Sequence, residues 1–470
     1  MGGTIMKKTI YILAALAACF AISCNKGIAT EDPNNEFETP KVEMQTITVT
    51  ASIDEKITRS SYAGGTTFNW DAGDEISVYC SDGNFYNFSA NSTGTSTTFT
   101  GAIPSGESLG NYAFFPADAG HTHGNFSLPK YKDVTSHTSA EIPMVGLKGE
   151  GNVYSFAHCA GAALLTIANI PDGITSATIT VESYNSADAS QCYKLSGSFY
   201  IQGRESATPS WDGAYASTDD EKQFSRKVTV SNHTAQLYIP CPAGANNWVP
   251  NKLTVIGHSS GGNVTLFNEK SMKKLGAVAR AHVLPLAALP VDRLAFIDWD
   301  DAGVNTFPNG TYNYRMPEWK ATSDAYYVYF RLKIAAWKMP ADPSGTYFYT
   351  GYNTNGTADD GVAPTWPTNL EIEPDIEALT LLYPFISNDG STITFKEGED
   401  SDGWIQCPVK TATGKLTTMG WQPGGLTEGE YIFVAFSVPR SKIGNPSGSI
   451  TVQHKGLDGY LSSQGTFTLN

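Results

Sequence analysis

The chain has little charge, and positive charge is the scarcer of the two signs. Only 16% of its 470 residues are charged, and 31 basic residues against 46 acidic ones give a formal net charge of −15 at pH 7. Proteins that bind nucleic acids need a basic face that displaces counterions from the phosphates. The composition therefore argues against a nucleic-acid partner, while 41% hydrophobic residues indicate a folded chain.

Cysteine pairs are also lacking. Beyond Cys19 and Cys24 near the N-terminus, the chain has five cysteines, an odd number, widely spaced and without any C-x-x-C motif: Cys80, Cys159, Cys192, Cys241 and Cys407. This pattern indicates neither a disulfide framework nor a zinc site. The five are predicted to be free thiols buried in β cores.

The chain has a single long apolar run, residues 10–22, which is too short to span a bilayer. It follows Lys7 and Lys8 and ends in Ala21-Ile22-Ser23-Cys24, which resembles a bacterial lipobox. Residues 1–23 are therefore predicted to be an export signal, with Cys24 acylated at the start of the mature chain. Cys19 is the alternative lipid site, and ordinary signal cleavage beside a cysteine also stays open.

The predicted location is the outer membrane, the cell surface or a fimbrium. Residues 24–43, acidic and containing proline and asparagine, are predicted to form a flexible tether. The lipid would be the membrane attachment, since no second apolar span follows.

Helical periodicity is scarce, and alternation with a period of two is common. Ile47, Val49, Ala51 and Ile53 alternate with polar residues, as in a half-buried strand. Short strands separated by turn formers predict an all-β fold of sandwiches. Lys270 to Val278 is the only modest helical pattern before residue 290, so a doubly wound α/β enzyme is disfavoured.

Several short motifs occur in a fixed order over the first part of the chain. They are Thr58-Arg59-Ser60-Ser61-Tyr62, residues 68–79 including Trp70-Asp71-Ala72-Gly73-Asp74, Tyr112-Ala113-Phe114-Phe115-Pro116, residues 142–146, residues 154–158 and Leu195-Ser196-Gly197. With these motifs, residues 44–290 resemble the fimbrillin family, the pilins of type V pili and related surface lipoproteins. The resemblance implies two tandem transthyretin-like β-sandwiches, 44–172 and 173–290. Trp70, Phe156 and Leu164 are expected to fill their cores, and Gly73 to make a turn.

The resemblance also gives Arg59 a role. In fimbrillins an Arg-specific protease cuts after an arginine that follows the first strand, and another subunit inserts a strand into the groove left behind. Here residues 46–53 are the predicted strand and residues 54–59 a polar link. Arg59 is the candidate processing site, with other pilus subunits as partners; an ordinary solvated loop arginine is the alternative.

A boundary is predicted near residues 289–293, after which aromatic residues become dense. Fimbrillins donate their C-terminal segment to the next subunit, but here a large domain, 293–470, follows the fimbrillin-like part. Such a subunit would accept a strand without donating one. A tip or accessory subunit is therefore favoured over a shaft subunit.

Residues 293–470 resemble, more weakly, family-9 carbohydrate-binding modules and DOMON-like sandwiches. The resemblance rests on residues 323–330 and 430–444 and implies a jelly-roll-like domain with a possible glycan ligand. Candidate sugar platforms are tryptophans in segments rich in Gly, Pro and Asp: Trp337, Trp366, Trp404 and Trp421. A calcium site is a further possibility, with oxygen ligands Asn353, Asn355, Asp359 and Asp360; no other cofactor is expected.

One motif is typical of enzymes. Gly257-His258-Ser259-Ser260-Gly261 matches the G-x-S-x-G nucleophile elbow, but the β-rich run that follows predicts a hairpin turn. The pair His121 and His123 lacks a third ligand and is read as a solvated loop. No catalytic residue is predicted, and the protein is not expected to be an enzyme.

The favoured hypothesis is a fimbrillin-like surface adhesin that assembles by strand exchange and binds glycans through residues 293–470. A glycan-capturing lipoprotein of a nutrient-uptake system is the alternative, and a glycan-active hydrolase is a third, less favoured one.

Overall fold

The computed structural model describes residues 42–53, 69–133, 142–184, 192–205, 209–211, 216–242, 252–272, 278–308, 316–335, 348–355, 378–386, 392–397, 414–415, 431–455 and 462–470. The chain divides into two units, Met1–Met44 and Gln45–Asn470. Over the described residues the predicted all-β class is confirmed, since helical geometry is limited to 3-10 turns at Asp220–Lys222, Leu294–Phe296 and Arg440–Lys442. A helix long and apolar enough for a bilayer does not occur among these residues.

The first nine strands build a barrel and two excursions from it. They are β1 (Met44–Ile53), β2 (Glu75–Cys80), β3 (Phe85–Ala90), β4 (Ser96–Pro104), β5 (Leu109–Phe115), β6 (Asn125–Leu128), β7 (Tyr131–Asp133), β8 (Met144–Lys148) and β9 (Val153–His158). Seven of them form a closed barrel in the order β1-β4-β3-β2-β5-β8-β9. Parallel pairing of β1 with β9 closes it, so we call these seven strands the N-terminal barrel.

Trp70 is at the centre of the barrel core, as its motif predicts. It is 1% exposed and meets three phenylalanine rings edge-on, with centroid distances of 5.1, 5.2 and 5.1 Å to Phe99, Phe115 and Phe156. The predicted turn follows it, because the amide of Asp74 donates to the carbonyl of Asp71 and Gly73 has a φ of +90°. That left-handed conformation suits glycine.

The next ten strands form what we call the middle module. They are β10 (Ala160–Ala168), β11 (Ile174–Glu182), β12 (Gly197–Gln202), β13 (Ser210–Trp211), β14 (Gln223–Thr229), β15 (Ala235–Pro242), β16 (Lys252–Ser259), β17 (Gly262–Ser271), β18 (Val283–Pro285) and β19 (Leu289–Pro290). One sheet joins β10 with β15, β18 and β19, and a second has the order β17-β16-β11-β14-β7. The helical pattern expected from Lys270 is wrong at its start, since β17 continues to Ser271.

The barrel and the middle module interlock. β6 pairs with β12 and β7 pairs with β14, so residues 125–133 leave the barrel and complete middle-module sheets. Phe126 and Leu128 are fully buried in the middle-module core. β10 also belongs to the middle module, so the strand pairing does not follow a boundary at residue 172.

Neighbouring residues on β10 correct one core prediction. Phe156 is fully buried as expected, but Leu164 is only half-buried, and the adjacent Leu165 is fully buried instead. β10 pairs on both sides, with β15 and with β18 and β19. Adjacent residues of a strand point to opposite faces of the sheet, and Leu165 is the one in the core cluster.

The last ten strands form the C-terminal module. They are β20 (Asn305–Pro308), β21 (Glu318–Ser323), β22 (Tyr327–Ala335), β23 (Phe348–Asn353), β24 (Ala378–Ile386), β25 (Thr392–Glu397), β26 (Gly414–Lys415), β27 (Tyr431–Pro439), β28 (Ser449–Lys455) and β29 (Gly465–Thr468). They make two sheets, β20-β21-β22-β27 and β26-β25-β24-β23-β28-β29. Aromatic rings from the two sheets meet in a sandwich core, for example Phe330 with Tyr352 at 6.0 Å.

His454 on β28 lies in that aromatic core and is fully buried. Its ring meets Trp319 at 4.7 Å and Phe330 at 5.2 Å, and its Nδ1 is 2.9 Å from the hydroxyl of Thr350. Its Nε2 has no hydrogen-bond partner among the described residues. Burial therefore lowers the pKa of His454 to about 3.

Acid is expected to destabilise the protein through His454. An unfolded histidine has a pKa of about 6.5, so the unfolded state binds the proton first and stability falls as the pH drops from about 6.5 towards 3. The free energy of unfolding should fall by about 2 kcal/mol from this residue between pH 7 and pH 5. Urea denaturation at pH 7 and pH 5 should show that His454→Phe loses about that much less than the wild type. Equal losses in the two proteins would contradict the assignment.

The middle and C-terminal modules are joined by hydrogen bonds rather than by a loose joint. The Asn169 side-chain amide donates to the carbonyl of Val291 at 2.8 Å and to a carboxylate oxygen of Asp324 at 2.7 Å. The Arg293 guanidinium donates to the carbonyls of Asn169 and Ile170 at 3.1 and 2.8 Å. The predicted joint near residues 289–293 is therefore built into both modules.

Candidate functional site

β1 is the candidate site, because it closes the barrel and is joined to the rest of the barrel by a linker of which residues 54–68 lie outside the described residues. Its sequence, MQTITVTASI, contains no charged residue. It lies between β4 and β9, so its removal would leave two strand edges facing each other. Such edges carry unpaired backbone groups that another strand can pair with.

Backbone pairing holds β1 on its β9 side over a short stretch. The register pairs Thr50 with Val153, Ala51 with Tyr154, Ser52 with Ser155 and Ile53 with Phe156. The amide of Thr50 donates to the carbonyl of Asn152 at 2.8 Å. Parallel pairing is slightly less stable per residue than antiparallel pairing, so this side is the weaker kind of strand contact.

Contacts near β4 are made by side chains and backbone of β1. The side-chain amide of Gln45 donates to the carbonyls of Pro104 and Glu107 at 3.3 and 3.0 Å. The hydroxyls of Thr48 and Thr100 are 3.4 Å apart, and the amide of Ile53 donates to the carbonyl of Thr95 at 3.0 Å. Neutral hydrogen bonds therefore hold this side.

The inward face of β1 confirms the alternation predicted from the sequence. Val49 and Ala51 are 1% and 0% exposed in the barrel core, and Ile47 and Ile53 pack against it, whereas Thr46 and Thr48 are exposed. Burying a side chain of the size of valine or isoleucine stabilises a fold by roughly 1.5–3 kcal/mol. β1 is thus bound mainly by apolar contact, which a second strand of the same alternation could reproduce.

Arg59 lies in the stretch 54–68, outside the described residues. Its place in the chain is still informative, since this stretch connects β1 to the Trp70 turn. A cut after Arg59 would leave β1 joined to the barrel by noncovalent contacts alone. The predicted processing of Arg59 stays a prediction.

The closing segment of the chain is built into the C-terminal module. β29 pairs with β28, and Phe467 and Leu469 are 3% and 9% exposed. Gly465 lies so close to Trp319 that an added Cβ would collide with the indole ring. This segment cannot act as a donor strand without dismantling that packing.

Most other predicted site residues fall outside the described residues. These are the lipidation candidates Cys24 and Cys19, the tryptophans Trp337, Trp366, Trp404 and Trp421, and the calcium candidates Asp359 and Asp360. Asn353 ends β23 and is half-buried, and Asn355 is exposed two residues later. Within the described ranges, no group of three His, Cys, Asp or Glu side chains could hold a metal ion.

The G-x-S-x-G segment is the predicted hairpin turn. It connects the antiparallel strands β16 and β17, and Ser259 pairs with Gly262. The Ser259 hydroxyl donates to the carbonyl of Gly262 at 3.0 Å, and both ring nitrogens of His258 have partners at 2.7 Å, Asn263 and Thr178. The serine is therefore a turn residue and not a nucleophile on a strand-to-helix elbow.

His121 corrects the prediction of a solvated histidine loop. It is 7% exposed, its Nε2 lies 3.0 Å from the carbonyl of Pro116, and its Nδ1 accepts from the amide of Ser127 at 2.9 Å. Phe114 and Phe126 pack on its ring, and burial lowers its pKa. His123 is exposed, as predicted.

Four of the five predicted free cysteines are confirmed as buried and unpaired: Cys80, Cys159, Cys192 and Cys241. Cys407 lies outside the described residues. Burial raises the pKa of Cys80 and Cys159 to about 12, so these thiols stay protonated at neutral pH.

Sequence reasoning predicted β1 but did not predict that β4 and β9 are the two strands that border it. Alternation in Val153-Tyr154-Ser155-Phe156 marks β9 as a strand, with Tyr154 and Phe156 buried. It carries no information on which strand lies beside it, because β1 and β9 are about a hundred residues apart in the chain.

Comparison with known proteins gives little further information. No protein-family model matches the chain, and no curated protein matches it. Among solved structures, one similar chain is a candidate cell adhesion protein from Bacteroides ovatus, at 13% identity and a TM-score of 0.27. The match covers 52% of this chain and 91% of the other.

Proposed function

We propose that this chain is a surface lipoprotein subunit that accepts a strand from another subunit in the place of β1. The observation that carries the proposal is the position of β1. It is an uncharged, core-lining strand that closes the barrel and would lose its covalent connection to the barrel through one cut in residues 54–68. The open groove would be costly until another apolar strand filled it, which drives assembly.

The C-terminal module supports a position at which the subunit accepts a strand and its own strand β29 is not donated. β29 pairs with β28, and Phe467 and Leu469 are buried in the core of that module. A subunit of this kind ends a fibre, so the proposed role is a tip or accessory subunit of an adhesive fimbria. Cys24 would carry the lipid at the outer membrane before assembly, and the role needs no catalysis.

Exchange of β1 should depend on cutting at Arg59. The purified chain would be treated with an Arg-specific protease, with mass spectrometry locating the cuts, and Arg59→Ala would serve as the matched control. A fluorescent synthetic peptide of residues 44–58 should then bind the cut wild-type chain in the place of β1. Binding should raise the fluorescence anisotropy of the peptide. Neither the uncut chain nor Arg59→Ala should take up the peptide.

The result that would overturn the proposal is also defined. If the chain is cut after Arg59 and the labelled peptide enters no more than it enters the uncut protein, β1 is a fixed strand. A protease that leaves the 54–68 stretch intact would equally contradict Arg59 as the processing site.

A further inference from the structure

A cavity of about 470 Å³ opens where the middle and C-terminal modules meet. The turn after β10 contributes Asp172, the segment after β19 contributes Arg293, Phe296, Asp298 and Asp301, and β21 contributes Thr322. Small-molecule sites are usually clefts of about 300–1,000 Å³, often between domains. The size and position of the cavity therefore suit a small ligand.

One wall of the cavity is held rigid by Asp324. Its carboxylate accepts hydrogen bonds from the amides of Tyr326 and Tyr327 at 2.8 and 2.9 Å and from the Tyr329 hydroxyl at 2.5 Å. The Tyr329 oxygen in turn accepts from the amide of Arg293 at 3.1 Å. A wall held in this way is formed before any ligand arrives, which reduces the ordering cost of binding.

Other lining groups keep hydrogen-bonding capacity. Asp298 and Asp301 each use one carboxylate oxygen to accept a nearby amide, from Asp300 at 3.0 Å and Gly303 at 2.7 Å. Their second oxygens, the guanidinium of Arg293 and the Thr322 hydroxyl add further acceptors and donors to the cavity lining. Acceptors and donors thus stand together around one space, as the hydroxyls of a polyol require.

Phe296 adds an apolar surface at the same place. Its side chain is 39% exposed and belongs to the cavity lining. An exposed ring beside carboxylates and a guanidinium is the combination with which proteins cover the C–H face of a sugar while binding its hydroxyls.

The charge of the cavity selects against anions. Four carboxylates, Asp172, Asp298, Asp301 and Asp324, line it against the single guanidinium of Arg293. Phosphate, sulfate and carboxylated sugars would be repelled by this balance. A bare cation is disfavoured too, because no group of three acidic, His or Cys side chains with metal-binding geometry occurs in the described residues.

We propose that this cavity binds a neutral sugar residue. Asp298 and Asp301 accept from its hydroxyls, Arg293 donates to it, and Phe296 covers its apolar face. This site is separate from β1 and goes beyond strand exchange, so it does not depend on the proposed assembly role.

The test uses the full chain and neutral sugars as probes: glucose, galactose, mannose, fucose, N-acetylglucosamine and N-acetylgalactosamine, free and as the terminal residues of an oligosaccharide array. Saturation-transfer NMR at millimolar sugar should detect binding of at least one of them. Phe296→Ala should weaken that binding about tenfold or more. Tyr326→Ala is the matched control, since Tyr326 is 38% exposed in the same module and does not line the cavity.

Two conservative variants test the polar contacts. Asp298→Asn and Asp301→Asn keep an oxygen for the loop amides but lose a charge and an acceptor, so each should weaken binding severalfold while the melting temperature stays unchanged. No binding of any sugar in the panel would overturn the proposal, as would equal binding by Phe296→Ala and Tyr326→Ala. Phe296→Ala should leave β1 exchange intact and Arg59→Ala should leave sugar binding intact, so failure of one idea is distinct from failure of the other.

Discussion

Val49→Asp is expected to lower the free energy of unfolding by about 3–5 kcal/mol, because it places an unpaired carboxylate in the barrel core. Val49 is 1% exposed, and its neighbours in the core include Trp70 and Phe99. The barrel can avoid the buried charge by releasing β1. Amide hydrogen exchange should then rise in the two bordering strands, β4 and β9. Urea denaturation and exchange measured by mass spectrometry would show both effects.

Thr48→Asp is the matched control, one residue earlier on the same strand. Thr48 is exposed, and its hydroxyl is 3.4 Å from that of Thr100, so a carboxylate there stays in water and should cost less than about 0.5 kcal/mol. A peptide of residues 44–58 carrying Val49→Asp should also fail to enter the chain cut after Arg59, whereas the Thr48→Asp peptide should enter. Equal loss of stability in the two full-length variants would show that β1 does not face the core in this register.

Trp70→Ala is expected to destabilise the barrel by about 3–5 kcal/mol, the range for removing a large aromatic side chain from a core. The indole meets the rings of Phe99, Phe115 and Phe156 edge-on, each near 5 Å, and these come from three strands or their ends. Neighbouring rings cannot close the space without moving those strands, so most of the cavity should remain. Urea denaturation followed by far-ultraviolet circular dichroism would measure the loss.

Trp70→Phe tests the contribution of aromatic packing to stability without the indole N–H. The indole N–H of Trp70 is buried and has no hydrogen-bond partner among the described residues, so its removal forfeits no hydrogen bond. A phenylalanine keeps part of the edge-on contact, and the loss should be about 1–2 kcal/mol. A loss below about 1 kcal/mol for Trp70→Ala would show that this ring is not the centre of the core.

Local patterns explain what the sequence could predict. The alternation from Ile47 to Ile53 defines a strand and its inward face, because a period of two follows directly from strand geometry. The Trp70 turn and the Ser259 hairpin were likewise predictable from turn-forming residues. None of these requires knowledge of a distant part of the chain.

Long-range pairing explains what was missed. The pairing of β6 and β7 with middle-module strands joins residues 125–133 to segments some 70 to 100 positions later in the chain. Neither segment carries a local mark of its partner. His121 is buried because rings of β5 and β6 pack on it, which again depends on that pairing. From Ala160 to Leu165 the residues are continuously apolar, so alternation could not distinguish Leu164 from Leu165.

The candidate site could likewise be predicted from the sequence only in part. β1 and its polar linker were predictable, but the closure of the barrel against β9 was not, because a parallel pair leaves no hairpin signal. The cavity lined by Phe296 was missed entirely, since its walls include segments about 120 to 150 residues apart. Asp298 and Asp301 lie in a short acidic stretch, residues 298–301, that carries no local mark of the cavity.

The passage of β6 and β7 out of the barrel limits how this chain can evolve by recombination. A single crossover between β9 and β10, near residue 159, would deliver a barrel whose excursion strands have no partners and a middle module with open edges at β12 and β14. Shuffling can therefore replace the barrel and the middle module together, but not one without the other. Diversification of the exposed loops by point substitution stays open to each module.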